Sequence, residues 1–422
     1  MSQVKLNVEE MCGFIKHMIT NNQHIQKNGM VPVTINVEGE AGLGKTSAII
    51  GLAKEMGLQI EKLNLSQFEE LGDLIGFPVK EYQVKNNAGK LLWITEQEIT
   101  KANEKGFKVV DKRMAHAAPA WVQGKTEGGI LLIDDFTRAD TRFMQAMMEV
   151  CDRQEYVSWK LPKNWHVILT TNPDNGDYNV TSLDVAQQTR FISVDLKFDE
   201  KVWAKWAESA GMDGRCINFL LMHPELVTQK VNPRSFTTYF NSISSIKNFE
   251  DELPIIQMIG EGSVGSDFSS MFTMFINNKL DRILSPEDIM TKGKSTVFEE
   301  LTAMIGEDDD FRADISSVVA TRIVNYLLNF AKSNPISGDI LTRIEDLFLE
   351  CESFTEDLKY YIVKEVVNGN KQKFGKLMMN PSVAKLIKLK SNASSFSSKP
   401  RDDMKFAAVS EALALSAVGV HA

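Results

Sequence analysis

Cysteine is scarce and scattered: Cys12, Cys151, Cys216 and Cys351 are the four among 422 residues, and no C-x-x-C pair occurs. That spacing argues against a disulfide frame and a structural zinc site, and it fits a reduced, intracellular compartment. No run of 18 apolar residues is present and the N-terminus lacks the apolar core of a secretory signal, so a cytoplasmic protein without membrane spans is expected. Positive charge is in deficit, with 47 Lys and Arg against 56 Asp and Glu, a net charge of −9 and a pI of about 5.4. A chain-wide basic footprint for nucleic acid is therefore missing, which weakens a DNA-motor reading but leaves room for one basic face. No internal repeat is found. What is present is ordinary for a globular protein, 43% hydrophobic and 24% charged, with length enough for two or three domains.

Against that background one segment stands out. Gly39-Glu40-Ala41-Gly42-Leu43-Gly44-Lys45-Thr46, followed by Ser47, is a full G-x-x-x-x-G-K-T loop. The apolar run Val31–Val37 before it reads as a buried strand, and Thr46–Met56 after it has helical spacing and ends at Gly57. Glycines at these positions let backbone N–H groups turn inward around a phosphate at a helix N-terminus, where the dipole favours an anion. Lys45 supplies a cation for the β- and γ-phosphates and the Thr46 hydroxyl a ligand for Mg²⁺. A nucleoside triphosphate and Mg²⁺ are the expected ligands.

Strands and helices alternate from an amphipathic helix at 7–28 to about residue 198, which predicts a parallel sheet covered on both faces. Strands are expected at Val33–Val37, Gln59–Asn64, Gly129–Ile133, His166–Thr171 and Phe191–Leu196. The polar, Lys-rich stretch 78–113 reads as an inserted hairpin and helix. From about 199 the pattern turns helical, with Trp203, Trp206, Phe219 and Leu220 at core-like spacing. The resulting fold class is an α/β P-loop core with a helical lid and a helical C-terminal extension. Its expected domains are a core at 1–198 with an insert at 78–128, a lid at 199–290, an extension at 291–390, and a Ser-rich linker and tail at 391–422.

Gly129-Ile130-Leu131-Leu132-Ile133-Asp134-Asp135 is an apolar strand that ends in two carboxylates. Asp134 suits Mg²⁺, which wants hard oxygen ligands, and Asp135 suits the polarising of an attacking water. Acidic residues before a helix also favour its N-terminus for purely structural reasons, so the pair gains its weight from the phosphate loop upstream.

Together these motifs resemble the AAA+ ATPases, specifically the MoxR-like branch that pairs with von Willebrand factor A-type partners. The resemblance covers residues 30–245. It runs through Asp73-Leu74-Ile75-Gly76, Ala117-Ala118-Pro119-Ala120-Trp121 before Gly128-Gly129, and Asp134-Asp135-Phe136-Thr137-Arg138-Ala139. Asp152–Tyr156 with Leu161-Pro162 and Trp165 resembles the family's pre-sensor hairpin. Thr171-Asn172-Pro173 is similar to sensor 1, which implies that Asn172 holds the attacking water or the γ-phosphate. Leu183–Phe191 matches the family's L-x-x-A-x-x-x-R-F, which implies that Arg190 is an arginine finger acting across a subunit boundary. Val231-Asn232-Pro233-Arg234 resembles sensor 2, with Arg234 on the γ-phosphate. The family's catalytic glutamate is here Asp135, one methylene shorter, which implies slow hydrolysis. The likeness implies that the nucleotide is ATP. It also implies a homo-oligomeric ring, a hexamer, that remodels, activates or assembles a protein client, with the insert at 78–128 offering loops to a pore or partner.

Two other classes stay open: a nucleic-acid motor or loader, for which Lys101, Lys105, Lys108, Lys112 and Arg113 are the one local basic cluster, and a nucleotide-gated scaffold with little turnover. Gly260-Glu261-Gly262-Ser263-Val264-Gly265 spells G-x-G-x-x-G but lacks a βαβ context and is expected to be a loop between helices. Asp308-Asp309-Asp310 has no EF-hand spacing and reads as a solvated acidic loop. His116 has no partner at ligand spacing, and the Met-rich Phe143–Met148 reads as core.

Overall fold

The computed structural model describes residues 4–126, 128–176, 178–278, 283–306 and 310–384. The expected linker and tail at 391–422, and Asp308 and Asp309, lie outside them. Two compact units emerge, one of Met1–Val202 with Val227–Tyr239 and one of Trp203–Leu226 with Phe240–Ala422.

In the first unit the strands run in chain order as β1 (Val4–Leu6), β2 (Thr34–Gly39), β3 (Gln59–Asn64), β4 (Pro78–Lys85), β5 (Leu91–Thr95), β6 (Lys108–His116), β7 (Gly129–Asp134), β8 (Glu155–Tyr156), β9 (Trp159–Lys160), β10 (Trp165–Thr171) and β11 (Phe191–Leu196). Six of them form one sheet in the order β1-β11-β2-β10-β7-β3, and every pairing in it is parallel. Parallel sheets need cover on both sides, and the alternation along β7 shows it. Ile130 and Leu132 pack with Met11, Ile15, Met18 and Ile19 of α1 (Val8–Lys27) and with Ile49 and Leu52 of α2 (Lys45–Glu55). Leu131 and Ile133 face the opposite way, onto α3 (Leu71–Ile75) and the later Met-rich helix. Helix α1 starts at a capping box in which Asn7 and Glu10 satisfy each other's exposed N–H groups.

The insert is larger than a hairpin. β5, β4 and β6 form a three-stranded antiparallel sheet, and α4 (Ile99–Glu104) bridges β5 to β6. Strand β6 reads KVVDKRMAH and is exposed over most of its length, so no buried alternation announces it. Next comes α5 (Thr141–Arg153), which buries Phe143, Met144, Met147 and Met148 as expected of core. β8 and β9 make the small hairpin at the pre-sensor position. The edge strand β1 is three residues long, too short for a periodic signal.

Short α6 (Val185–Gln188) precedes β11, and α7 (Glu200–Ser209) follows it. In the second unit Trp203, Phe219 and Leu220 are buried, but Trp206 is 50% exposed and is not a core residue. Helices α8 (Gly214–Met222), α9 (Pro233–Ser242), α10 (Leu253–Ser263) and α11 (Ser266–Asn277) follow in chain order, with α9 up to Tyr239 counted in the first unit. Phe219 of α8 meets Phe268, Phe272 and Phe275 of α11 edge-on at centroid distances of 5.0–5.4 Å, a favoured aromatic geometry. The G-x-G-x-x-G segment is mostly helix rather than loop: Gly260 and Gly262 lie within α10, and Gly265 caps α11. Later helices pack around α12 (Pro286–Thr291), α13 (Lys294–Ile305) and the long α14 (Ala313–Ser333) in an aliphatic core of Ile289, Leu301, Ile323 and Leu327. Arg322, 6% exposed, donates to both carboxylate oxygens of Glu208 and to Asn218, the pairing a buried guanidinium requires.

Candidate nucleotide site

The phosphate loop joins the C-terminal end of β2 to the first turn of α2. Gly42 and Gly44 hold φ of 81° and 87°, a region L-residues with side chains resist. A β-carbon on Gly42 would also come within 2.3 Å of Asn232 Oδ1, so the position is closed on conformation and on space. Asn232 itself caps α9 by accepting from the N–H groups of Arg234 and Ser235. That cap sets the Arg234 backbone beside the loop, where the Arg234 charge also bears on Lys45. On the other side, Ala41 N–H donates to the Tyr178 hydroxyl, which donates to Glu40. Gln229 donates to the same carboxylate at 3.2 Å.

Lys45 is 7% exposed. Its Nζ donates to the carbonyls of Gly39 (2.5 Å) and Glu40 (3.0 Å) and to Asn172 Oδ1 (3.2 Å). Burial brings its pKa down to about 8, against the pull of Asp135, Asp134 and Glu40 in the other direction. Thr46 Oγ1 donates to Asp134 Oδ1 at 2.6 Å, and Thr170 Oγ1 donates to the same oxygen at 2.7 Å. Lys62 Nζ lies 2.9 Å from Asp134 Oδ2. Burial alone would raise the Asp134 pKa, but the Lys62 ammonium and the two hydroxyls outweigh it and hold the carboxyl below the usual range.

Asp135, the next residue, sits at φ 52° and ψ 43°. Its N–H donates to Thr170 Oγ1, its Oδ1 accepts from Asn172 Nδ2 at 3.2 Å, and Arg138 Nη1 lies 3.8 Å from Oδ2. Asn172 thus stands between Lys45 and Asp135, with its oxygen to one and its nitrogen to the other. A phosphate loop after β2, a carboxylate pair after β7 and an asparagine after β10 meet at one end of three adjacent parallel strands.

The core is a parallel α/β sheet with a phosphate-type loop at the C-terminal ends of its strands. Comparisons with known proteins are thin beside that geometry. No family model matches the chain. A 56-residue stretch is 41% identical to midasin of Dictyostelium discoideum; it makes up 13% of this chain and 1% of that protein. Among solved structures, a RuvB mutant of Thermotoga maritima is 15% identical with a TM-score of 0.33, over 73% of this chain and 87% of that one. A provisionally named ATPase of Cytophaga hutchinsonii is 15% identical with a TM-score of 0.27, over 85% and 93%. Likenesses at these scores carry no argument about this chain.

Elsewhere on the sheet, Arg190 lies apart from the loop. The register pairs Leu196 with Gly39 but Phe191 with Thr34, so Arg190 is at the far end of the sheet, about 20 Å away at strand rise. Its guanidinium is half exposed and 3.9 Å from Asp152. His116 rests edge-on against Tyr156, and no cluster of metal-ligating side chains exists among the described residues. Of the basic cluster, Arg113 pairs with Glu81 and stacks on Trp93 at 4.2 Å. None of the described helices is long and apolar enough to cross a membrane. Sequence reasoning does not find Lys62, Thr170, Tyr178 or Gln229. Each reaches the site from an element distant in sequence and sits in no motif.

Proposed function

We propose that this chain binds ATP in the loop Gly39–Ser47 and hydrolyses it at Asp135. The observation that carries the reading is the convergence of Lys45, Thr46, Asp134 and Asn172 at one end of the sheet. The loop's backbone and Lys45 hold the phosphates and orient the γ-phosphoryl group. Asn172 and Asp135, bonded to each other, together hold a water against the γ-phosphorus, and Asp135 takes its proton as the new P–O bond forms and the bond to ADP breaks. Thr46 Oγ1 and Asp134 Oδ1 are adjacent hard oxygens, a donor set that fits Mg²⁺. Thr46 and Asp134 would hold the ion, which would supply neutralisation of phosphate charge. Arg234 sits beside the loop on the first turn of α9 and contacts the γ-phosphate. Asp135 is shorter than the family's glutamate, and turnover is accordingly slow.

Arg190 stands too far from its own loop to act there, which supports a ring in which each finger completes the neighbour's site. Such a ring, six-membered in the MoxR-like branch, remodels a protein partner inside the cell, and a von Willebrand factor A-type protein is the first partner to try. The test is the steady-state ATPase rate per subunit against protein concentration, for wild type and Arg190→Ala. A rate that climbs with concentration and collapses in the variant supports the ring. ATP binding with no turnover at any concentration leaves a nucleotide-gated scaffold instead.

A further inference from the structure

Lys62 is a cation placed on the carboxylate that would serve the metal, and nothing in the motif pattern calls for it. It lies on β3, an edge strand of the sheet, two residues before Asn64, which pairs with Asp134. Two residues of strand span about 6.6 Å, close to the length of a lysine side chain, so Lys62 reaches the acid by lying along its own strand. The two oxygens of Asp134 are divided: Oδ1 takes the Thr46 and Thr170 hydroxyls, and Oδ2 takes Lys62. The Asp134 side chain is 13% exposed and that of Lys62 44%. The acid is therefore fixed while the ammonium faces water and can leave.

We propose that Lys62 is a competing counter-ion for the metal position, which lets nucleotide bind before the metal and raises the metal concentration needed to complete the site. This rests on the ATP reading above. Without a divalent ion, phosphates entering the loop approach Asp134 and Asp135, and like charges repel. Lys62 cancels one of those charges. When Mg²⁺ arrives, the same ammonium sits on the carboxylate it needs, and the two cations repel across a few ångströms. Removing Lys62 therefore has opposite effects on the two steps. A purely orienting or structural role would weaken both together, and a solvated surface pair would change neither.

The experiment is binding of a fluorescent ATP analogue to the full chain, first in EDTA and then titrated with Mg²⁺, for wild type, Lys62→Met and Lys62→Arg. In Lys62→Met the metal-free affinity falls and the Mg²⁺ midpoint drops, each by roughly 1.5- to five-fold for a half-exposed pair, while Lys62→Arg stays near wild type. A Lys62→Met midpoint that is unchanged or higher overturns the proposal. Far-ultraviolet circular dichroism shows whether the variant is folded; if Lys62→Met does not fold, a Lys62→Gln midpoint decides by the same criterion. If wild type itself shows no metal-dependent nucleotide binding, the ATP reading fails rather than the role of Lys62.

Discussion

In the proposed mechanism Asp135 takes the role that glutamate has in the MoxR-like branch, and the backbone at this position favours the shorter acid. At φ 52° it is left-handed, a conformation that Asp tolerates better than most residues because its short polar side chain bonds locally. Glutamate there gains reach toward the water and loses that tolerance. We expect Asp135→Glu to raise kcat several-fold and to lower unfolding stability by about 0.5–1 kcal/mol, read by ATPase assay and denaturant midpoint; an unchanged or lower kcat is the contrary result. Lys45 supports a second prediction at this scale. Its free-state pKa is brought to about 8 by burial, and bound phosphates would restore the charge. Below pH 8 the ammonium is already present, so little proton is exchanged. As pH rises through 8 the free site loses its proton, so ATP binding takes one up and weakens. Calorimetry at pH 8.5 in two buffers of different ionisation heat reads the uptake directly. Equal heats there count against a depressed lysine.

The strands show what a sequence makes legible and what it hides. Gln59–Asn64 and Phe191–Leu196 are found to the residue and the other three expected strands within two; β2, β7 and β10 are legible because buried parallel strands are apolar runs bounded by turns. The insert's β6 is hidden because its side chains are mostly in water. The phosphate loop is legible because its chemistry is local. Lys62, Thr170 and Tyr178 are not, since only the fold brings them to Asp134 and Glu40. Inside β10 lies one further hidden group. His166 is fully buried, and neither ring nitrogen has a hydrogen-bond partner among the described residues. Burial drops its pKa to about 4. Native protein then keeps the ring neutral while the unfolded chain takes up a proton below about 6.5. The stabilising contribution is complete above pH 6.5 and is lost as pH falls toward 4. Between pH 7.5 and 4.5 the loss is about 2–3 kcal/mol, measured as the difference in denaturant-derived stability between wild type and His166→Leu at the two pH values. Parallel pH profiles for the two proteins would mean that the native His166 ring takes up its proton as readily as the unfolded one.

For the whole molecule, the separation of Arg190 from the loop on one rigid sheet is the decisive distance. A residue at the N-terminal end of β11 and a loop at the C-terminal end of β2 cannot meet without breaking the strand pairing between them. If both are needed for turnover, they come from different copies. Two dead variants then cure each other. Lys45→Ala lacks a working loop but keeps its finger, and Arg190→Ala lacks its finger but keeps its loop. Each alone is inactive at any concentration. Mixed in equal amounts and allowed to exchange, they recover up to about a quarter of wild-type activity per subunit, the chance that a given boundary joins an intact loop to an intact finger in a head-to-tail assembly. Mixing with the double variant is the control, since it supplies neither part. Recovery in the first mixture and none in the second ties catalysis to the subunit boundary. Silence in both, with exchange demonstrated by labelled subunits, would mean that Arg190 serves its own subunit through the Asp152 contact and that the ring, if it forms, does not share its sites.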